Sequence, residues 1–472
     1  MNHPSLWRYL QLAVVCLMIL RSGMGRAAPA VRPADLPVQE VPFGVYWPWE
    51  RTGGIARNAG LEQWDFVKGT CQMLRKSGVD TVWLVNIGLE DLKKLLKITR
   101  PLGLRLLPCL GEIEPHNLGG TAGTSPEKAD FLEKARSYYE KTIPQVVQAV
   151  GEDRAGVLAW VLCDEPTGKL LSLMEPMRQM FARADPDRPA LAVTMWGQTP
   201  EAIKTTRLTT FCVDLYPFFG PGNPNGPHTP EASKNFYSFN IQRMVEEAGR
   251  DGRVGWVMPQ CFNEIWGPWE IRSSGIAVAL PQSFIHWRTP TLGEIRWQIW
   301  EGLRAGAKGI IFFVLLGPDQ GNPKARPVSD AALKPILVEK ATSVGYPALL
   351  DHKGRPTYQF NLMTAIFRRL IPHKLVILRL TPTSAEWLTP GKDARVGHFI
   401  DPRTQQRYAV VVNSDMAEAH IIEVIVGPGA HAVADVLQGE PLEMKSLGWT
   451  GGGFRIHLPL HAGEGALLKI IY

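Results

Sequence analysis

From about residue 43 the hydrophobic positions fall into two alternating rhythms. Short, nearly continuous apolar runs mark buried strands: FGVYW (43–47), TVWLVNI (81–87), LRLLPCL (104–110), VLAWVLC (157–163), ALAVTMW (190–196), TFCVDLYP (210–217), VGWVMPQ (254–260) and GIIFFVLL (309–316). Amphipathic stretches separate nearly all of them. One helix is expected within 61–77, stopped by Gly78, and another over 89–103. A third is opened by Ser125-Pro126-Glu127 and carries Phe131, Ala135, Tyr139, Ile143 and Val147 on one face. Others fall near 168–184 and after Thr199-Pro200-Glu201, and Thr291 with Glu294 forms a capping box for the helix before the last strand. Eight such units predict an α/β fold, a (β/α)8 TIM barrel. An open doubly wound sheet would usually carry a Gly-rich phosphate loop after its first strand, and GVYWPWE has none.

A helical stretch at 358–370 closes this region, and the rhythm then changes. LVILRL, VGHFI, RYAVVVNS, HIIEVIV, HAVADVL, FRIHLPL and GALLKIIY are short β-rich runs parted by Gly, Pro, Asp and Asn. They predict a C-terminal antiparallel β-sandwich. The expected layout is a signal peptide over 1–30, a barrel over 40–372 and a sandwich over 374–472.

Composition narrows the function classes. The formal charge of +6 comes from Lys and Arg scattered among Asp and Glu, which argues against nucleic acid as a partner. Arg8, the apolar run from Tyr9 to Leu20 and the small residues at 27–30 read as an export signal. That run is too short to span a bilayer, so the expected product is periplasmic or extracellular with no membrane span. Cys71, Cys109, Cys163, Cys212 and Cys261 are odd in number and form no CxxC pair, so buried free thiols are expected. No metal-ligand spacing is present and no cofactor is implied. The 15 tryptophans suit both core packing and sugar stacking.

In a TIM barrel the chemistry sits at the C-terminal strand ends. Here those ends carry Tyr46, Trp47 and Glu50, then Asn86, Glu112 and Glu114, then Asp164-Glu165-Pro166, Trp196, Asp214, Tyr216, and Gln260, Phe262 and Glu264. The set is rich in carboxylates, amides and aromatics, and it lacks a Schiff-base lysine, a nucleophile–base dyad and a phosphate loop. Carboxylates with aromatics suit glycosidic bond cleavage. Glu165 is the expected general acid, since a neighbouring carboxylate and apolar walls both raise its affinity for a proton. Tyr46, Trp47, Asn86, Glu112, Trp196, Asp214, Tyr216, Gln260 and Phe262 are the expected substrate-binding residues. Trp266 and Trp269, in a Gly/Pro loop, are expected subsite aromatics.

AWVLCDEP resembles the strand-four acid segment of clan A-like glycoside hydrolases. With DEP at 164–166, DLYP at 214–217, Gln260 and TPTLGEIRWQIWEGLRAGAKGIIFF at 289–313, the barrel resembles several bacterial hydrolase-like families. The resemblance implies a carbohydrate substrate and Glu165 as proton donor. It also implies a nucleophile at the end of strand seven, where Gln260 stands instead, leaving Glu264 as the nearest carboxylate. The Asp164-Glu165 pair further resembles that of glycoside hydrolase family 123. This implies a substrate-assisted route in which Asp164 is the second group of an N-acetylhexosaminidase. A third reading is a barrel that binds carbohydrate without turning it over.

Overall fold

The computed structural model describes residues 37–472 apart from 221–222, 224–225, 228, 267–268, 272–276, 280–283, 318–347 and 448–452, and the side chains of 265–284 are likewise outside the description. The expected signal peptide lies outside the described residues.

Eight parallel strands form one sheet: β1 (Phe43–Pro48), β2 (Thr81–Ile87), β3 (Arg105–Leu110), β4 (Trp160–Asp164), β5 (Ala190–Met195), β6 (Thr210–Asp214), β7 (Val254–Met258) and β8 (Ile310–Phe312). Their order is β3-β2-β1-β8-β7-β6-β5-β4. The ring closes where the Leu158 amide donates to the Leu106 carbonyl at 2.8 Å, beside a parallel bridge between Leu106 and Val157. Each strand is followed by a helix: α1 (Gln63–Lys76), α2 (Leu89–Leu102), α3 (Phe131–Val150), α4 (Gly168–Ala184), α5 (Thr199–Thr205), α6 (Pro230–Arg250), α7 (Leu292–Ala305) and α8 (Tyr358–Leu370). The chain is therefore a (β/α)8 barrel.

The two-residue period of a strand divides the barrel's side chains into two layers. In β1, Phe43, Val45 and Trp47 pack outward under the helices, while Tyr46 joins Trp83, Leu107, Val161, Cys212 and Trp256 in the interior. Gly44 is needed between them, because a Cβ there would lie 2.8 Å from the Thr81 carbonyl oxygen. The Thr291–Glu294 capping box is present at the start of α7. The five cysteines among the described residues are buried free thiols.

Two elements depart from expectation. Ser125-Pro126-Glu127 opens a turn, with the Lys128 amide donating to the Ser125 carbonyl, and α3 begins only at Phe131. Ser-Pro suits the first corner of a turn as well as a helix start. The run after 374 begins as a short helix, Lys374–Arg379, in which only Ile377 is buried. A brief apolar run has no period long enough to separate helix from strand.

Beyond it, a six-stranded and a four-stranded antiparallel sheet face each other across a core that includes Val411, Val424, Ile456 and Leu468. This sandwich packs against α7. A Cβ at Gly293 would lie 2.1 Å from the Met416 carbonyl oxygen, and one at Gly397 would lie 2.2 Å from that of Arg304. Arg395 bridges to the buried Glu301 at 3.3 Å. Among the described residues, no helix is long and apolar enough to cross a membrane.

Candidate active site

At the C-terminal mouth of the barrel a cleft of about 330 Å³ is lined by Tyr46, Pro48, Glu50, Arg51, Val85, Asn86, Asp164, Glu165, Val193, Asp214, Tyr216, Met258, Glu264, Trp287 and Phe313. The backbone explains how adjacent Asp164 and Glu165 both reach it. Trp160 and Val161 pair with Ala190 and Leu191, but Asp164 then pairs with Val193, so β4 carries an extra residue there. Such a bulge re-aims side chains. Glu165 adopts φ +53°, in the left-handed region that few non-glycine residues occupy, while its amide still donates to Val193 at 3.2 Å. The strand's alternation is broken at this point, and both carboxyls face one space. Asn86 repeats the device on β2, with φ +57° beside a register shift against β3.

The carboxyls are tightly held. Tyr46 Oη donates to Asp164 Oδ2 at 2.8 Å, the Asp164 amide donates to Glu114 Oε2 at 3.3 Å, and His116 Nε2 lies 2.8 Å from the Asp164 carbonyl oxygen. Burial, with the neighbouring Glu114, Glu165 and Glu50, raises the Asp164 carboxyl to about 7 against the pull of the Tyr46 hydrogen bond. Asp214 stands within hydrogen-bonding range of Glu165. Burial first, and then Glu165 and Asp164, hold it well above the usual carboxylate range. A proton on Asp214 removes a like-charge repulsion that the low-dielectric cleft would magnify. Aromatic rings complete the wall: Tyr216 meets Trp287 edge-on at 5.3 Å and Phe313 at 5.2 Å, and Phe313 meets Tyr46 at 4.8 Å.

Of the expected site residues, the structure brings together Tyr46, Asn86, Asp164, Glu165, Asp214, Tyr216 and Glu264. Five others stand elsewhere. Trp47 is fully buried, on the outward face of β1, and its indole donates to Thr52 at 2.9 Å. Gln260 is fully buried, and its side chain is committed to the chain itself: Oε1 accepts from the Phe218 amide at 3.0 Å, and Nε2 donates to the Phe218 and Arg288 carbonyls at 3.2 and 2.8 Å. Phe262 is buried behind Tyr216, at 5.0 Å. Glu112 accepts from the Leu89 amide at 2.8 Å, so it serves the positive N-terminus of α2. Trp196 is 48% exposed and packs edge-on against Phe236, away from the cleft. The Trp266 and Trp269 side chains lie outside the described residues.

Trp287 and Arg51 were not expected at the site. Trp287 arrives from a short strand, Phe284–Trp287, in the excursion between β7 and α7. No period of the barrel points to it. Arg51 follows a strand end and donates to the Leu316 carbonyl at 2.9 Å. A larger cavity, about 760 Å³, lies between α7 and the sandwich; it is lined by Lys234, Arg296, Asp393 and Asp415 among others, but by no aromatic ring.

No protein-family model matches the chain, and no curated protein matches it in sequence. Solved structures match it in fold. An alpha-amylase from Anoxybacillus aligns with a TM-score of 0.51 at 10% identity, over 91% of this chain and 98% of that one. A family 29 alpha-L-fucosidase from Bacteroides thetaiotaomicron aligns with a TM-score of 0.46 at 11% identity, over 94% and 95%. A beta-glucuronidase from Ruminococcus gnavus aligns with a TM-score of 0.45 at 11% identity, over 69% of this chain and 49% of that one. The chain thus spans about half the length of the glucuronidase. These neighbours are glycoside hydrolases, and at 10% identity what the alpha-amylase shares with this chain is the architecture.

Proposed function

We propose that this protein is a glycoside hydrolase that cleaves O-glycosidic bonds, with Glu165 as the general acid. The observation that carries this reading is the convergence of Asp164, Glu165 and Asp214 on one aromatic-walled cleft at the C-terminal mouth of the barrel. A sugar alkoxide is a poor leaving group, so its oxygen must be protonated as the bond breaks. Glu165 sits where the strand ends, with Asp214 beside it as a proton partner. Asp164, oriented by Tyr46, supplies negative charge toward the oxocarbenium-like centre in its ionised form, which prevails above about pH 7, and Glu264 on the cleft wall is the carboxylate available to attack or to activate water. The carbohydrate substrate and the sandwich's accessory role belong to the same reading, and the segment over 1–30 supports export. Glu165→Gln should abolish turnover of natural glycosides in a folded protein. Near-normal hydrolysis would refute the assignment.

A substrate-assisted route is the second reading. It is favoured by the adjacent pair facing one space and by Gln260 being locked away at the strand-seven end. Under it, only 2-acetamido glycosides should turn over, and Asp164→Asn should cost as much as Glu165→Gln. Equal turnover of glycosides lacking the acetamide would sink this route. Sugar binding with no hydrolysis of any glycoside would favour a carbohydrate-binding barrel.

A further inference from the structure

Behind the cleft, three side chains with metal-binding chemistry, Glu114, His116 and Cys163, come together, and Cys109 stands against Glu114. Glu114 is only 3% exposed, and Cys109 and Cys163 are fully buried. Cys109 Sγ lies 2.6 Å from Glu114 Oε2, and Cys163 Sγ lies 3.3 Å from Glu114 Oε1. His116 Nε2 is 4.0 Å from Glu114 Oε1. One ligand atom from each of Glu114, His116 and Cys163 falls within 4.8 Å of the others. Ideal zinc bond lengths of about 2.0–2.3 Å in a tetrahedron place neighbouring ligand atoms about 3.3–3.8 Å apart. Cys163 Sγ and His116 Nε2, at 3.3 and 4.0 Å from Glu114 Oε1, bracket that range.

An independent observation points to the same spot. Tyr139 is fully buried on the inner face of α3, and its hydroxyl has no hydrogen-bond partner among the described residues. It lies close enough to feel the charges of Cys163, Glu114 and Cys109. A buried unpaired hydroxyl costs free energy unless something fills the gap. An ion with a bound water would supply that partner.

We propose that Cys163, Glu114 and His116, with Cys109 drawn in from beside Glu114 as the fourth ligand, form a binding site for a soft divalent cation such as Zn²⁺, set directly behind the Asp164-Glu165 pair. The set of two sulfurs, one nitrogen and one carboxylate oxygen suits zinc and is poor for Mg²⁺ or Ca²⁺. On binding, two thiol protons leave to solvent as two metal–sulfur bonds form. The cluster's net charge then stays at one negative, as with the Glu114 carboxylate alone. The exposed His116 gives the route in, and its ring turns from the Asp164 carbonyl to the ion. Sequence spacing gave no sign of this site because its ligands come from the ends of two strands and the loop between them. Its function would be to fix the end of β4: Glu114 already accepts from the Asp164 amide.

The test uses the full chain, stripped with a chelator and titrated with Co²⁺ and then Zn²⁺. One equivalent of Co²⁺ should give thiolate-to-metal charge-transfer absorption, which Zn²⁺ abolishes, and the bound ion should raise the unfolding temperature. The double variant Cys109→Ser with Cys163→Ser should lose the absorption, and His116→Ala, altered at an exposed position, should bind at least tenfold more weakly. Cys71→Ser, in α1, should leave binding unchanged. Absence of the absorption in folded, reduced protein would overturn the proposal. So would absorption that persists in the double variant, or a Cys109–Cys163 disulfide found by mass in the purified protein.

Discussion

The ends of β4 and β7 look alike in sequence: an apolar run gives way at once to hydrogen-bonding side chains. In the structure they are opposites. At β4, Asp164 and Glu165 leave the sheet through a bulge and a left-handed residue, and their carboxyls face the cleft. At β7, Gln260 is fully buried. Its backbone amide donates to Gln298 Oε1 at 2.8 Å, its carbonyl accepts from Gln298 Nε2 at 3.1 Å, and its own amide group bonds Phe218 and Arg288. A polar group at a strand end is free for chemistry only when the protein leaves its hydrogen-bonding capacity unspent. Gln260 has none to offer a ligand. Asp214, by contrast, faces Glu165 in the cleft, and its buried Oδ1 has no hydrogen-bond donor among the described residues.

The largest expected effect tests the β4 side. Removing a general acid typically costs a factor of about 10² to 10⁴. Glu165→Gln should lower kcat by that much on glycosides with poor leaving groups, and far less on aryl glycosides whose leaving group needs no proton. Circular dichroism should be unchanged. Equal losses on both substrate types would mean that Glu165 holds the substrate rather than protonating it.

Next comes the β7 side. Gln260→Ala strands several buried backbone groups at once, each worth roughly 1–3 kcal/mol when left unpaired. Urea unfolding should show a stability loss of about 3 kcal/mol, while KM for a glycoside should stay within about twofold. A raised KM in a protein of unchanged stability would place Gln260 in the substrate site after all and erase the contrast.

The same rule reaches a buried cation at the barrel–sandwich junction. Lys308 is 8% exposed, and its ammonium donates to the Ile377 carbonyl at 2.8 Å and to that of Leu380. Burial lowers it from 10.5 to about 7. Between those values the unfolded chain binds a proton that the folded chain lacks, so stability should rise with pH across that window. The slope is bounded by about 1.4 kcal/mol per pH unit. Lys308→Met should flatten the difference in unfolding free energy between pH 7 and pH 9. An equal slope in that variant would assign the pH dependence to other groups.

Which parts of this were legible in sequence follows from the reach of each signal. The eight strands and their helices were legible because alternation and amphipathic period are local and repeated. The position of Glu165 in the cleft was legible because the C-terminal end of a barrel strand faces the mouth. Trp47 was misplaced although the period that places it is local: Phe43, Val45 and Trp47 share the outward face, and Tyr46 alone turns in. The fates of Gln260 and Glu112 were not legible, because their partners, Phe218 with Arg288 and Leu89, are set by tertiary contacts. Trp287 was hidden for a similar reason, since it enters from an excursion that no barrel repeat describes.

The smallest effect belongs to Tyr46. Its ring packs on Phe313 at 4.8 Å and on Trp83 at 6.4 Å, and among the described residues its hydroxyl makes a single hydrogen bond, to Asp164 at 2.8 Å. Phe keeps the ring contacts and removes only that bond, so the fold should be undisturbed. A hydrogen bond to a charged group contributes roughly 1.5–3 kcal/mol when lost outright. Asp164 is half-buried at the cleft, where water can take over part of that role. Tyr46→Phe should therefore cost about 1 kcal/mol of transition-state stabilisation, close to a tenfold fall in kcat/KM. If the hydroxyl only orients Asp164, the fall should appear in kcat with KM nearly constant. A fall confined to KM would instead mean that Tyr46 touches the sugar itself, and the β4 end would then owe its chemistry to the aromatic wall as much as to its carboxyls.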